Sequence, residues 1–171
     1  KKYLYVKYVL AILVLVLLGF CTIYLAGNRQ VQKYLESLYG QDLYQEATAI
    51  ARSQEVLEYY GKQEDITPLY DNLCTLSSYR RCNIWLISPK GNLLLNTDSE
   101  LKTENFPVIE DFNPGTTSGS YYQTGNFFGQ FKQPQLSVMV PVTKNMSVHG
   151  YVAIHLPMSI LQQEHDSLMN L

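Results

Sequence analysis

The sequence predicts an α+β fold: an N-terminal transmembrane helix, a long helix, a five-stranded antiparallel sheet flanked by helices, and a C-terminal helix returning to the membrane. Three observations predict it. Twenty residues from Tyr8 to Gly27 carry no charge. A proline-free stretch with helical spacing of apolar residues follows them. The remainder holds short runs rich in Val, Ile, Leu and aromatic residues, separated by turn sequences. At 171 residues the chain has room for about one folded domain and an appendage.

Residues 8–27 are long enough, at about 1.5 Å per residue, to cross the roughly 30 Å hydrocarbon core of a bilayer. The run exceeds the roughly 7–15 apolar residues of a signal peptide. In "LLGFC", Phe20 stands where a lipoprotein site places a small residue, and residues 9–18 are apolar on every face. Tyr3, Tyr5, Tyr8 and Tyr24 lie near its ends, where aromatic rings favour the interface. Lys1, Lys2 and Lys7 precede it, so residues 1–7 are expected in the cytoplasm and everything after Gly27 outside. That outer part holds ten basic and all fifteen acidic residues. Its acidic balance excludes nucleic acid as a partner and disfavours tight docking on anionic lipid; the lipid partner is the bilayer around 8–27.

Residues 28–60 read as one long membrane-proximal helix. Val31, Leu35 and Leu38 form one apolar stripe, and Leu43, Ala47, Ile50, Gln54 and Leu57 a second. The step of five between Leu38 and Leu43 shifts the seam near Gly40. The first stripe is expected to pair with another chain in a homodimer, and the second to cover the sheet. Thr67-Pro68 starts the next helix, with Thr67 as N-cap, running to about Ser77. Residues 84–88 form a continuous apolar strand covered on both faces. Pro89-Lys90-Gly91-Asn92 is turn chemistry, and 93–97 return antiparallel.

Residues 98–119 read as loop with one helical turn near 106–110, and 120–124 as a strand. Residues 135–143 alternate, with Leu136, Val138, Val140 and Val142 on one face and Pro141 late in the strand. Residues 150–156 alternate too: Val152, Ile154 and Leu156 on one face, Tyr151, Ala153 and His155 on the other. A last helix begins at Pro157. The domain core therefore covers 61–157, and 158–171 form the return helix.

No catalytic constellation is present in this order of residues. His149, His155 and His165 are scattered, and the carboxylates beside His165 in "EHD" point away from it on a helix. No metal site, phosphate loop or nucleophile motif is found, and no cofactor is expected. Cys74 and Cys82, in "CTLSSYRRC", are either a disulfide or two separate buried thiols. The uncharged aromatic segment 119–131 is either core with a loop or the wall of a small-ligand pocket. In the second reading Tyr121, Tyr122, Phe127 and Phe128 form the wall, with Trp85 or His155 contributing from the sheet. No Arg or Lys lies within 119–131, which weakens any case for a carboxylate ligand.

The strand–turn–strand "IWLISPKGNLLLNT", and the later "QLSVMVPVTKNMSVHGYVAIHLPMSIL" with Pro141, Gly150 and Pro157, resemble the single Cache (PAS-like, PDC) sensor domains of bacterial receptors, most of all those of sensor histidine kinases. The resemblance covers roughly 9–171. It implies a PAS-like sheet, an extracytoplasmic sensing role in the bacterial cell membrane, and a ligand pocket between the sheet and its long loop, here 98–131. It also implies a second membrane helix and a cytoplasmic ATP-dependent kinase, chemoreceptor or cyclase module beyond Leu171, so the chain reads as a non-catalytic fragment of a longer protein. The expected partner is a small ligand or a membrane or extracytoplasmic protein. A membrane-anchored dimerisation module is the alternative.

Overall fold

The computed structural model describes residues 2–62, 65–102, 104–117 and 121–169. Helix α1 (Lys2–Ala51) is continuous from the apolar segment into the folded domain. Helices α2 (Gln54–Lys62) and α3 (Thr67–Arg80) follow, then strands β1 (Asn83–Ile87) and β2 (Leu93–Asn96). After a long loop come β3 (Gln123–Gly125), β4 (Gln135–Lys144), β5 (Ser147–Pro157) and helix α4 (Met158–Met169). The sheet is antiparallel with order β2-β1-β5-β4-β3. One helix, α1, is long and apolar enough to cross a membrane, and every described residue before Asn28 is exposed where its burial is defined.

The expected helix over 28–60 is broken, and the break is not at Gly40. It lies at Arg52-Ser53, where the Ser53 hydroxyl donates to Ile50 O at 2.8 Å and accepts the Val56 N–H at 3.4 Å. Ser53 thus caps α2, which has Glu55 in its first turn. The core seam moves accordingly: Leu43, Ala47 and Ile50 are buried as expected, but Val56 is buried while Gln54 is exposed. Helix α3 also starts differently. Ile66 is its N-cap residue, and the Asp65 carboxylate, not Thr67, accepts the Thr67 N–H at 3.0 Å.

The helices cover one face of the sheet. Ile84 and Leu86 of β1, Leu136, Val138 and Val140 of β4, and Val152, Ile154 and Leu156 of β5 pack there against α1, α2 and α3. The opposite face carries Trp85, Ile87, Met139 and Ala153 and is covered by the loop. Both faces are closed, so β1 reads as continuous apolar sequence, as expected of a strand covered twice. The expected helical turn at 106–110 is instead extended: Val108 bridges Asn92, and Leu93 N donates to Pro107 O at 2.8 Å. That pairing covers the free edge of β2. The loop's helical turn lies at Pro114–Thr117, and the strand expected over 120–124 is Gln123–Gly125; residue 120 lies outside the described residues. Pro141 is tolerated because β3 pairs with β4 only as far as Ser137, leaving that side of the strand free of a ladder.

Gly40 explains how the loop is fastened to α1. A Cβ there would lie 2.4 Å from Cδ1 of Tyr122, whose ring fills the space beside the bare backbone. Helix propensity alone favours Ala over Gly by about 1 kcal/mol. The contact reverses the sign: Gly40→Ala is expected to destabilise the domain by about 1–3 kcal/mol. Urea titration should show a much smaller penalty for the same change in a Tyr122→Ala background.

Candidate functional site

Alternation along the strands brings Trp85, Ser137, Met139, Ala153 and His155 to the loop-covered face. Trp85 pairs across with Ala153, whose small side chain leaves room for the indole. The loop supplies Ile109, Phe112, Phe127, Phe128 and Phe131. Three rings converge on His155: Phe127 at 4.4 Å and Trp85 at 4.5 Å between centroids, and Phe131 at 4.8 Å, with Phe127 also edge-on to Trp85 at 5.8 Å. The geometries are mostly edge-to-face, the favoured arrangement for such rings.

His155 is fully buried. Its Nδ1 shares a hydrogen bond with Ser137 Oγ at 2.8 Å, while Nε2 has no partner. Trp85 Nε1 is likewise buried without a partner. Of the residues expected in a pocket wall, then, Trp85, His155, Phe127 and Phe128 come together. Tyr121 and Tyr122 do not. Tyr122 joins the helix-side core against Gly40, and Tyr121 stands 65% exposed with its edge on Tyr44. Phe131, Phe112 and Ser137 belong to the cluster and were missed. The strand register carries Ser137: it faces His155 across the β4–β5 ladder, a pairing legible once the two strands are aligned on the hairpin.

The hairpin tip itself is tight: Asn145 and Met146 both have positive φ, and Lys144 pairs with Ser147. His149 lies half-buried near it and contacts Ser147 Oγ. Near this hairpin lies a cleft of about 660 Å³ lined by Tyr60, Asp65, Asn92, Lys102 and His149 among others. The Tyr60 hydroxyl donates to Ile87 O at 2.9 Å, and burial raises its pKa. No cluster of metal-ligating side chains is formed among the described residues.

Cys74 and Cys82 are free thiols. Cys74 sits on α3 and Cys82 lies beyond the left-handed residue Arg81 that ends it. Eight residues of largely helical rise separate the two by roughly 10 Å, beyond the reach of about 7 Å between bridged Cα atoms. Burial pushes the Cys82 thiol up to about 11, so it is inert as a nucleophile. In the stripe expected to form a dimer, Leu35 is buried and Val31 half-buried against the chain's own core; only Leu38 faces out, with Tyr34.

Beyond the sheet, toward the apolar part of α1, helices α1 and α4 lie side by side. The Tyr39 hydroxyl donates to the Glu164 carboxylate, and burial together with that carboxylate pushes the phenol up to about 12. A smaller cleft of about 230 Å³ lies between the same helices, lined by Asn28, Gln32, Leu35, Leu161, Gln162 and His165. Arg80 ties α3 to α1 through Asp42 at 3.1 Å and Glu46 at 2.6 Å.

No protein-family model matches the sequence, and no characterised protein matches it by sequence. Solved structures share the fold. The extracellular domain of vpHK1S-Z8, assigned as a histidine kinase, aligns with TM-score 0.59 at 10% identity, over 80% of this chain and 57% of that one. The sensor domain of the Vibrio cholerae histidine kinase DctB aligns at 0.51 and 13% identity, over 78% and 60%. The ligand-binding domain of the Campylobacter jejuni chemoreceptor Tlp3, in complex with L-norvaline, aligns at 0.52 and 14% identity, over 80% and 59%. The chain thus spans a little over half the length of these structures, and at such identity the likeness is one of fold alone.

Burial drives the His155 pKa from 6.5 down to about 3. The unfolded chain takes that proton near pH 6.5, the folded chain only near pH 3. The resulting stability is full above pH 6.5 and falls as the pH drops toward 3, by up to about 1.4 kcal/mol per pH unit. Melts of the full chain in neutral detergent should therefore give a lower midpoint at pH 5 than at pH 7. His155→Gln should remove the larger part of that difference; an undiminished difference would refute a buried neutral imidazole.

Proposed function

We propose that this chain is the extracytoplasmic input region of a membrane receptor, with its N-terminus in the cytoplasm. The output module, outside this segment, is a two-component sensor histidine kinase; a chemoreceptor or cyclase module would use the same input. The observation that carries this reading is the course of β5. The strand places His155 in the aromatic chamber, and three residues later the chain is already α4, packed on the membrane-rooted α1. A small molecule that alters the chamber biases β5, and β5 has no loop in which to absorb the change before α4. The fold shared with extracellular sensor and ligand-binding domains supports the role.

The receptor is a homodimer in this reading. With Leu35 turned inward, the pairing face of α1 becomes Tyr34, Ser37, Leu38, Gln41 and Gln45, which is exposed and uncharged. The same exposed face favours the second reading, a membrane-anchored module that recruits a membrane or cell-wall protein through Tyr34 and Leu38.

Two experiments on the full-length receptor separate them. Gln32 and Gln162 line the cleft between α1 and α4. An oxidised Gln32→Cys/Gln162→Cys pair is expected to lock output at one level whatever the stimulus, with the response restored by reductant. Output that still responds with the bridge closed would sink the relay. Tyr39→Phe removes the bond to Glu164 and is expected to shift basal output without changing ligand affinity. An interaction module predicts no effect of either change and loss of partner recruitment on Leu38→Glu.

A further inference from the structure

Two nitrogens in the chamber have nothing to bond to. Trp85 Nε1 and His155 Nε2 are buried without partners, on side chains 3% and 0% exposed. A buried unpaired donor or acceptor costs about 1–3 kcal/mol. The groups around them are the rings of Phe127 and Phe131, the Ala153 methyl and the Met139 thioether, a weak acceptor that bonds neither nitrogen. Trp85 Nε1 can only donate. His155 Nε2 complements its Nδ1: it donates if Ser137 donates to Nδ1, and accepts if Nδ1 donates to Ser137.

The turn that covers the two nitrogens is strained. Phe127 and Phe128 have φ of 40° and 52°, in the left-handed region, where an L side chain costs of order 1–3 kcal/mol. They stand between Gly125 and Gly129, which also have positive φ. The turn is closed by two backbone bonds of its own, Gln130 N to Phe127 O at 3.1 Å and Phe131 N to Asn126 O at 3.2 Å. Phe127, 4% exposed, packs from this turn against both Trp85 and His155, which also touch each other at 4.5 Å between centroids. It fills the volume and satisfies neither nitrogen.

The geometry points to Phe127 as a displaceable plug: a small, uncharged ring compound bearing a hydroxyl or carbonyl oxygen takes its place over Trp85 and His155, the oxygen pairing with the two orphan nitrogens. This rests on the reading of the chain as a small-molecule sensor and names the ligand class of that site. Charge is excluded by the lining. A carboxylate or ammonium would lose its hydration with no counter-charge among the residues of the chamber. The imidazole supplies none, since burial keeps it neutral at ordinary pH. An incoming neutral oxygen gains what the phenyl ring does not offer, and release of the turn recovers its strain.

Trp85 is the only tryptophan of the chain, so its fluorescence reports on this chamber alone. The test uses the full chain in neutral detergent, with benzyl alcohol, toluene, benzoate and benzylamine as probes. In Phe127→Ala, where the plug is gone, benzyl alcohol is expected to change Trp85 emission saturably and at least tenfold more tightly than benzoate or benzylamine. It should also bind about tenfold more tightly than toluene, and that preference should collapse in Phe127→Ala/His155→Phe, an outcome that mere cavity filling does not produce. If circular dichroism shows Phe127→Ala unfolded, Phe127→Leu carries the same comparison. Absence of saturable binding in a folded variant, equal or tighter binding of a charged probe, or a preference for benzyl alcohol that survives His155→Phe each overturns the proposal. The sensory reading fails separately. A receptor that responds to a charged stimulus with Trp85 emission unchanged keeps its sensory role and loses this site, whereas the bridged receptor described above tests the relay without any ligand.

Discussion

Strand β5 is held from every side, and the rest of the domain is arranged around that constraint. It ladders with β1 on one edge and β4 on the other. Val152, Ile154 and Leu156 are locked into the helix-side core, while Ala153 and His155 are locked under the loop. A strand paired on both edges and buried on both faces cannot slip by one residue without exchanging its two cores. Register here is therefore a single choice. It fixes where His155 meets Ser137, where Trp85 finds the small Ala153, and where α4 begins relative to α1.

Most of the architecture was legible because it is periodic. The uncharged run, the continuous β1, the alternation of β4 and β5 and the turn at 89–92 each carry a local signal, and each element formed where the signal lay. The misplaced features depend on single side-chain contacts. The break after Ala51 is made by the Ser53 hydroxyl, and a lone Ser inside a helical pattern is a weak mark. Gly40 looked like a seam defect, yet it is the flat seat for Tyr122, a partner about eighty residues away. The segment at 106–110 became extended because it pairs with the β2 edge, a demand set by the sheet and invisible in the segment itself.

The candidate site was legible in half. Aromatic composition pointed to the right segment, and strand alternation to Trp85 and His155. Composition could not sort the aromatics by side. Tyr121 and Tyr122 precede β3 and go to the helix side, whereas Phe127, Phe128 and Phe131 follow it and go to the other. Three residues of strand are enough to separate one aromatic stretch into a fastening and a lining. The Leu35 position shows a related ambiguity: an apolar stripe on a membrane-proximal helix looks the same whether its partner is another chain or the chain's own α4.

Helix α1 runs unbroken from Lys2 to Ala51, about 75 Å of backbone at the ordinary helical rise. The part long and apolar enough to cross a bilayer and the part that carries Leu43, Ala47 and Ile50 into the core are one unbroken helix. A helix accommodates a bilayer thinner than its apolar length by tilting. In a bilayer, tilt of this rod would pivot the sheet fastened to its far end, so lipid thickness would set the posture of the whole domain.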